Sequence, residues 1–174
     1  ITGVSDTERP TEWLGGTIRA TGPAATNNTP FASGNLAWVF GSGPQLLDLG
    51  KTLDLNNSFT LTQPLTINGG TLIARNVLGR QFLNFERGTL QQTHFAFIVA
   101  VDDNFELKPN TTLIANAGFA GQLGSGIIIR DNAFLNVTAS TNSVLGLLTL
   151  DGPNARIRTQ SPLQVGNTGT LRGT

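Results

Sequence analysis

The densest group of oxygen ligands in the sequence is Asp102-Asp103-Asn104 with Glu106. Carboxylates at this density could hold a calcium ion, and a carboxylate pair is also what glycoside hydrolysis requires. Asp102, Asp103 and Asn104 separate two apolar stretches, ending at Val101 and starting at Phe105. A solvated turn is therefore demanded at this point in any case. Neighbouring residues on a strand face opposite ways, so Asp102 and Asp103 cooperate only if the turn bends them together. Asp102, Asp103 and Glu106 are thus weak metal candidates, with calcium the ion their oxygens would suit, and the expectation is no metal and no cofactor. Asp131 and Asp151, with Arg130, Arg156 and Arg158 nearby, form a second group of charged residues beside turn positions. Structural turn residues are the stronger reading there too.

His94 is the only histidine and there is no cysteine. Thiol nucleophiles, disulfides and cysteine-based zinc sites are excluded. No serine sits in a nucleophile-elbow context. These absences predict a protein that is not an enzyme. Eleven Lys and Arg balance eleven Asp and Glu, which argues against a nucleic-acid partner. No apolar run is long enough for a transmembrane helix. The chain begins at Ile1, which predicts a mature or excised chain whose targeting segment has been removed. Low charge with 23 Thr and 16 Asn suits an extracellular or cell-surface protein. Sequons at Asn27, Asn56, Asn110 and Asn136 are possible glycosylation sites.

The elements that position these residues follow from composition and spacing. With 21 Gly among 174 residues, beside the many Thr and Asn, the sequence favours strands joined by tight turns. Residues 1–45 hold both Trp and four of the eight Pro, and read as an irregular N-terminal cap. Within that cap a short helical turn is expected over 6–14 and strands over 17–21 and 36–40. From residue 46 a repeat begins: apolar-x-apolar, a polar turn, then another apolar position. Leu53, Leu65, Leu83, Phe105, Ile127, Leu148 and Leu163 open successive units. Between Leu83 and Leu148 the spacing is 22, 22 and 21 residues, the length of one β-solenoid coil. The shorter spacings at Leu53 and Leu65 are two faces of one coil or irregular first coils.

Gly88, Asn110, Asn132 and Asn154 keep the same 22-residue beat. Gly and Asn best tolerate positive φ, so a ladder of left-handed turn residues is expected. His94–Val101, Phe119 with Leu123, and Val144–Leu147 supply a third strand for each coil. The fold expected is all-β: a three-sided, single-stranded, right-handed parallel β-helix of five to six coils over 46–174, one domain with its cap. A β-sandwich or jelly roll is the alternative, since its short strands recur too.

Three phrases, Leu65-Thr-Ile-Asn-Gly-Gly-Thr-Leu72, Ile129–Val137 and Val165–Gly173, resemble the secreted right-handed β-helices of bacterial autotransporter passengers and filamentous-haemagglutinin-type proteins. The resemblance covers roughly 50–174 and is one of repeat grammar. It implies export and a role as adhesin, surface scaffold or toxin, and transfers no binding residue. The resulting expectation is a structural or adhesive protein whose partners are copies of itself, surface glycans or surface proteins. Leu163, Val165 and Leu171 would form an edge for head-to-tail filament assembly. Alternatives are a carbohydrate-active module (polysaccharide lyase, hydrolase or tailspike-like) and a viral capsid or fibre component.

Overall fold

In a computed structural model of the chain, residues 13–20, 45–140 and 142–173 are described, without the side chains of Ala20, Asn56 and Asn57. The strand expected over 36–40, nearly all of the helical turn over 6–14, and Asn27 lie outside these residues. Strands account for most of the described residues. One three-residue 3-10 turn, Arg80–Phe82, is their only helical element. Two compact units divide the chain, residues 1–88 and 89–174.

The first unit contains β1 (Gly16–Ala20), β2 (Gln45–Asp48), β3 (Lys51–Thr60), β4 (Leu65–Leu78) and the start of β5 (Leu83–Gln92). β1 pairs with β3, β2 with β4, and β3 with β4, each in parallel. Ile18 lies beside Leu53, Leu53 beside Leu72, Phe59 beside Val77, and Leu47 beside Ile67. The short early spacings are therefore two parts of one coil: Leu65–Asn68 lies against β2, and Thr71 onward lies against β3. Leu47, Leu53, Leu55, Phe59, Leu65, Ile67 and Leu72 are buried. Each such side chain contributes about 1.5–3 kcal/mol when removed from water. The chain bends within β4 at Gly69-Gly70. Gly69 has φ 102°, and a Cβ on Gly70 would approach the carbonyls of Leu47, Asp48 and Lys51 to 2.7–2.8 Å. Only glycine fits so close to three backbone oxygens.

The second unit is a three-sided parallel solenoid. Its strands are β6 (Phe97–Val99), β7 (Asn104–Leu107), β8 (Thr111–Ala115), β9 (Phe119–Gly121), β10 (Gly126–Arg130), β11 (Phe134–Val137), β12 (Asn142–Val144), β13 (Leu147–Asp151), β14 (Arg156–Thr159), β15 (Gln164–Val165) and β16 (Thr170–Gly173). One face stacks β7, β10, β13 and β16, and a second stacks β6, β9, β12 and β15. The third stacks β8, β11 and β14. Phe105, Ile127 and Leu148 are direct neighbours, as their spacing predicts, and so are Leu113, Leu135 and Ile157. A sandwich is ruled out by this uniformly parallel pairing.

Alternation along each strand sends one set of side chains inward. Phe97 stacks on Phe119 with centroids 6.1 Å apart and planes 4° from parallel, and Phe105 meets Phe97 at 4.8 Å. Two amides also point inward at corners. Gln92 donates to the carbonyls of Phe95 and Ala96, and Asn142 to those of Ala139 and Ser161. They satisfy carbonyls that the bend takes out of the ladder.

Three strand expectations are corrected. The strand predicted over His94–Val101 is only Phe97–Val99, because His94 and Phe95 lie in the bend that Gln92 ties down. The strand predicted over Val144–Leu147 ends at Val144, since Leu145-Gly146 makes a tight corner and Leu147 opens β13. The last coil is shifted by one face. Val165 pairs beside Val144, Leu171 beside Leu148, and Leu163 precedes the strand. Leu171, not Leu163, continues the Phe105–Ile127–Leu148 column.

Candidate functional site

The most concentrated charge chemistry lies on the outward side of the β7–β10–β13 face. Pairing sets Arg130 directly beside Asp151. Glu106 stands on the other neighbouring strand, beside Ile128. Arg130 Nε donates to Glu106 Oε1 at 2.8 Å, and Nη1 donates to Asp151 Oδ2. One planar guanidinium thus binds carboxylates on both sides through the fixed fork of its donors. All three side chains remain roughly 40% exposed. Glu106, and then Asp151, raise the already high pKa of the guanidinium further.

This arrangement removes Glu106 from the acidic turn that contains Asp102 and Asp103. Asp103 Oδ1 accepts the N–H of Asn104 at 2.9 Å and serves its own turn. Asp102 adopts φ 55° with its side chain against Gly124, where a Cβ would collide with its carboxylate. Among the described residues no group of three or more His, Cys, Asp or Glu is placed to hold a metal ion. The weak candidates Asp102, Asp103 and Glu106 are thus each engaged separately.

The turn ladder forms with one change. Gly88 has φ 102°, Asn110 φ 62° and Asn132 φ 58°. Pro109 and Asn110 occupy the central positions of a turn closed by Thr111 N–H to Lys108 O, the residue order that a type II turn favours. Asn154 is corrected: it is not left-handed, and Gly152 takes that role with φ 116°. The closed turn Gly152–Ala155 keeps the register of Lys108–Thr111 and Arg130–Ala133, but its positive φ lies at the first position, Gly152, and not at Asn154. Asn132 Nδ2 donates to Asp131 rather than along the column.

On the β8–β11–β14 face Arg156 lies over the Phe134 ring at 5.4 Å, with Asn136 beside the exposed Arg158. Asn136 is half-buried within a strand, while Asn110 is exposed at a turn. The side chain of Asn56 lies outside those described. His94 is exposed and its Nδ1 is 2.9 Å from Thr93 Oγ1. At the expected edge, Val165 is 43% and Leu171 54% exposed. Leu163 is half-buried. In the first unit Arg19 binds Asp54 at 2.6 Å, Lys51 binds Asp48 at 2.8 Å, and Lys51 sits over Trp13.

The Arg130 bridge is not among the expectations drawn from the sequence. Its signal was available: residues 130 and 151 are one coil apart, and strands one coil apart are neighbours. No protein-family model matches the chain, and no curated protein or solved structure is significantly similar to it.

Proposed function

We propose that the chain is a non-enzymatic structural or adhesive module of the cell exterior that assembles head to tail with copies of itself. One observation carries this reading. Val165 and Leu171 continue inward-facing columns, beside Val144 and Leu148, yet remain 43% and 54% exposed. Inward positions on a solenoid rung become buried when another rung stacks on them, and unpaired strand edges template such pairing. A further rung from any chain would cover them, and this reading assigns it to a second copy. A heterologous contact of this kind gives filaments when it does not close. Zero net charge removes the long-range repulsion that opposes assembly. The engagement of Glu106 and Asp151 with Arg130 supports a structural role for these carboxylates over a catalytic one.

Negative-stain electron microscopy of the purified chain tests it. Uniform fibres are expected, with dispersed particles for the Val165→Lys/Leu171→Lys variant. Discrete particles for both proteins would overturn head-to-tail assembly. Fibres that survive both lysines would place the contact elsewhere.

A further inference from the structure

The corner between the β6–β9–β12–β15 face and the β7–β10–β13–β16 face carries a ridge of exposed apolar side chains. Val101 is 56% exposed, Leu123 54%, Leu145 40% and Leu147 42%. Residues 101, 123 and 145 are 22 apart, one per coil. Backbone bonds align these corners: Asp102 N–H donates to Leu123 O, and Leu145 N–H to Gly121 O. Turns at solvent-facing corners ordinarily use polar residues and glycine, so three consecutive apolar corners need another cause. Burial in the core is not that cause, since the interior is filled by other columns. The ridge is also held in place. Thr168 Oγ1 donates to Leu145 O at 2.9 Å, and a Cβ at Gly166 would collide with Leu145 Cδ2.

The ridge exposes on the order of 300 Å² of apolar surface, the size at which patches on monomers are often functional. We infer that it is a lateral docking surface for a second copy of this chain, packed antiparallel about a two-fold axis between Leu123 and Leu145. The charges around the ridge select this occupant. Asp102 and Asp103 are exposed beside Val101 at one end. Arg172 is exposed on the outermost described strand of the adjoining face, at the other end. A two-fold operation brings Leu123 against Leu145 of the second copy and sets the acids of each copy toward the arginine of the other. A lipid surface prefers a basic rim, and this rim has acids at one end. Small-molecule sites are concave, and this ridge stands on a corner. The patch is well below the ~800 Å² per partner of a standard interface, so the association is weak and concentration-dependent. It uses the side of the rungs and is independent of the rung edge in the proposed function.

Sedimentation equilibrium of the full chain carrying Val165→Lys/Leu171→Lys, the variant expected to disperse fibres, tests the inference apart from filament formation. A monomer–dimer equilibrium is expected. Leu123→Asp should weaken it about tenfold or more, with an unchanged circular dichroism spectrum because the side chain is exposed. Asp103→Lys and Arg172→Asp should each weaken the dimer, and the two together should restore it. A mixture of Leu123→Cys and Leu145→Cys chains, each with a single thiol, should give a disulfide-linked heterodimer on mild oxidation, and a mixture of Leu123→Cys and Ser143→Cys chains should not. A monomer at every concentration, or a dimer indifferent to Leu123→Asp, would overturn the proposal. So would a monomer that binds neutral lipid vesicles through Leu123, which would assign the ridge to a membrane surface.

Discussion

Asp131 Oδ1 accepts the backbone N–H of Asn154 at 2.8 Å, from one solenoid rung to the next. Its other oxygen accepts from Asn132 Nδ2 at 2.9 Å. A single carboxylate therefore ties its own turn to the turn above. The approach is close enough that a Cβ at Gly152 would stand 2.6 Å from Asp131 Cβ. This contact, with φ 116°, requires glycine at 152 on two grounds.

Removing that carboxylate should loosen the corner between β13 and β14. Asp131→Ala is expected to lower stability by about 1 kcal/mol, the usual net worth of one hydrogen bond. Asp131→Asn keeps an acceptor at Oδ1 and should recover more than half of the loss. Urea denaturation of the three proteins measures the order. An alanine variant as stable as the parent would mean that the bond contributes nothing beyond water.

The left-handed turns make a prediction that separates Asn154 from the two asparagines one and two coils before it. Asn110 and Asn132 have positive φ, so Ala at either position should cost about 1 kcal/mol or more, and Gly should be tolerated. Asn154 lacks that conformation, and Asn154→Ala should have little effect. Thermal melting of the six Ala and Gly variants checks this. An Asn154→Ala loss as large as the loss at Asn132 would contradict the assigned backbone.

Interior columns were legible in the sequence because a fixed period directly states which residues stack. Phe105, Ile127 and Leu148 are neighbours for the reason that their spacing gives. Phase was less legible. Leu163-x-Val165 fits either of two faces by pattern, and only the ladder assigns Val165 to Val144. In the first unit, spacing left Leu53 and Leu65 as two faces of one coil or as irregular first coils, and only the ladder decides, with Leu65 beside Gln45 and Leu72 beside Leu53 because β4 runs past two strands. Outward partners were the least legible. A 22-residue beat pairs Glu106 with Ile128, and the Arg130 bond to Glu106 runs diagonally, with a reach that depends on rotamer.

Acid should act on the first unit through Asp48. Hydrogen bonding from Lys51 is the largest influence on its carboxyl and holds it below its usual range. A depressed carboxylate favours the folded state above the unfolded value of about 3.9, and that contribution is lost as pH falls through the folded value. Asp48→Asn should therefore be less stable than the parent at neutral pH. The gap should close under strongly acidic conditions. Denaturation midpoints of the two proteins across acid pH measure it, and a gap independent of pH would remove the carboxylate as its source.

The Arg130 bridge should show itself in salt rather than in pH. Glu106 and Asp151 keep the guanidinium protonated throughout the usable range. All three side chains are partly exposed, which lets mobile ions compete with the bridge. Arg130→Gln leaves two carboxylates on neighbouring strands without their shared cation. The variant is expected to lose stability at low ionic strength, and the difference should shrink as salt rises. A Glu106→Gln/Arg130→Gln double-mutant cycle isolates the pair. A positive coupling at low salt that fades at high salt is expected, because the bond joins β7 to β10 across the face. Zero coupling under both conditions would mean that solvation of the separate charges matches the bridge, and the face would then owe its cohesion to the Ile127, Ile129 and Leu148 side chains beneath it.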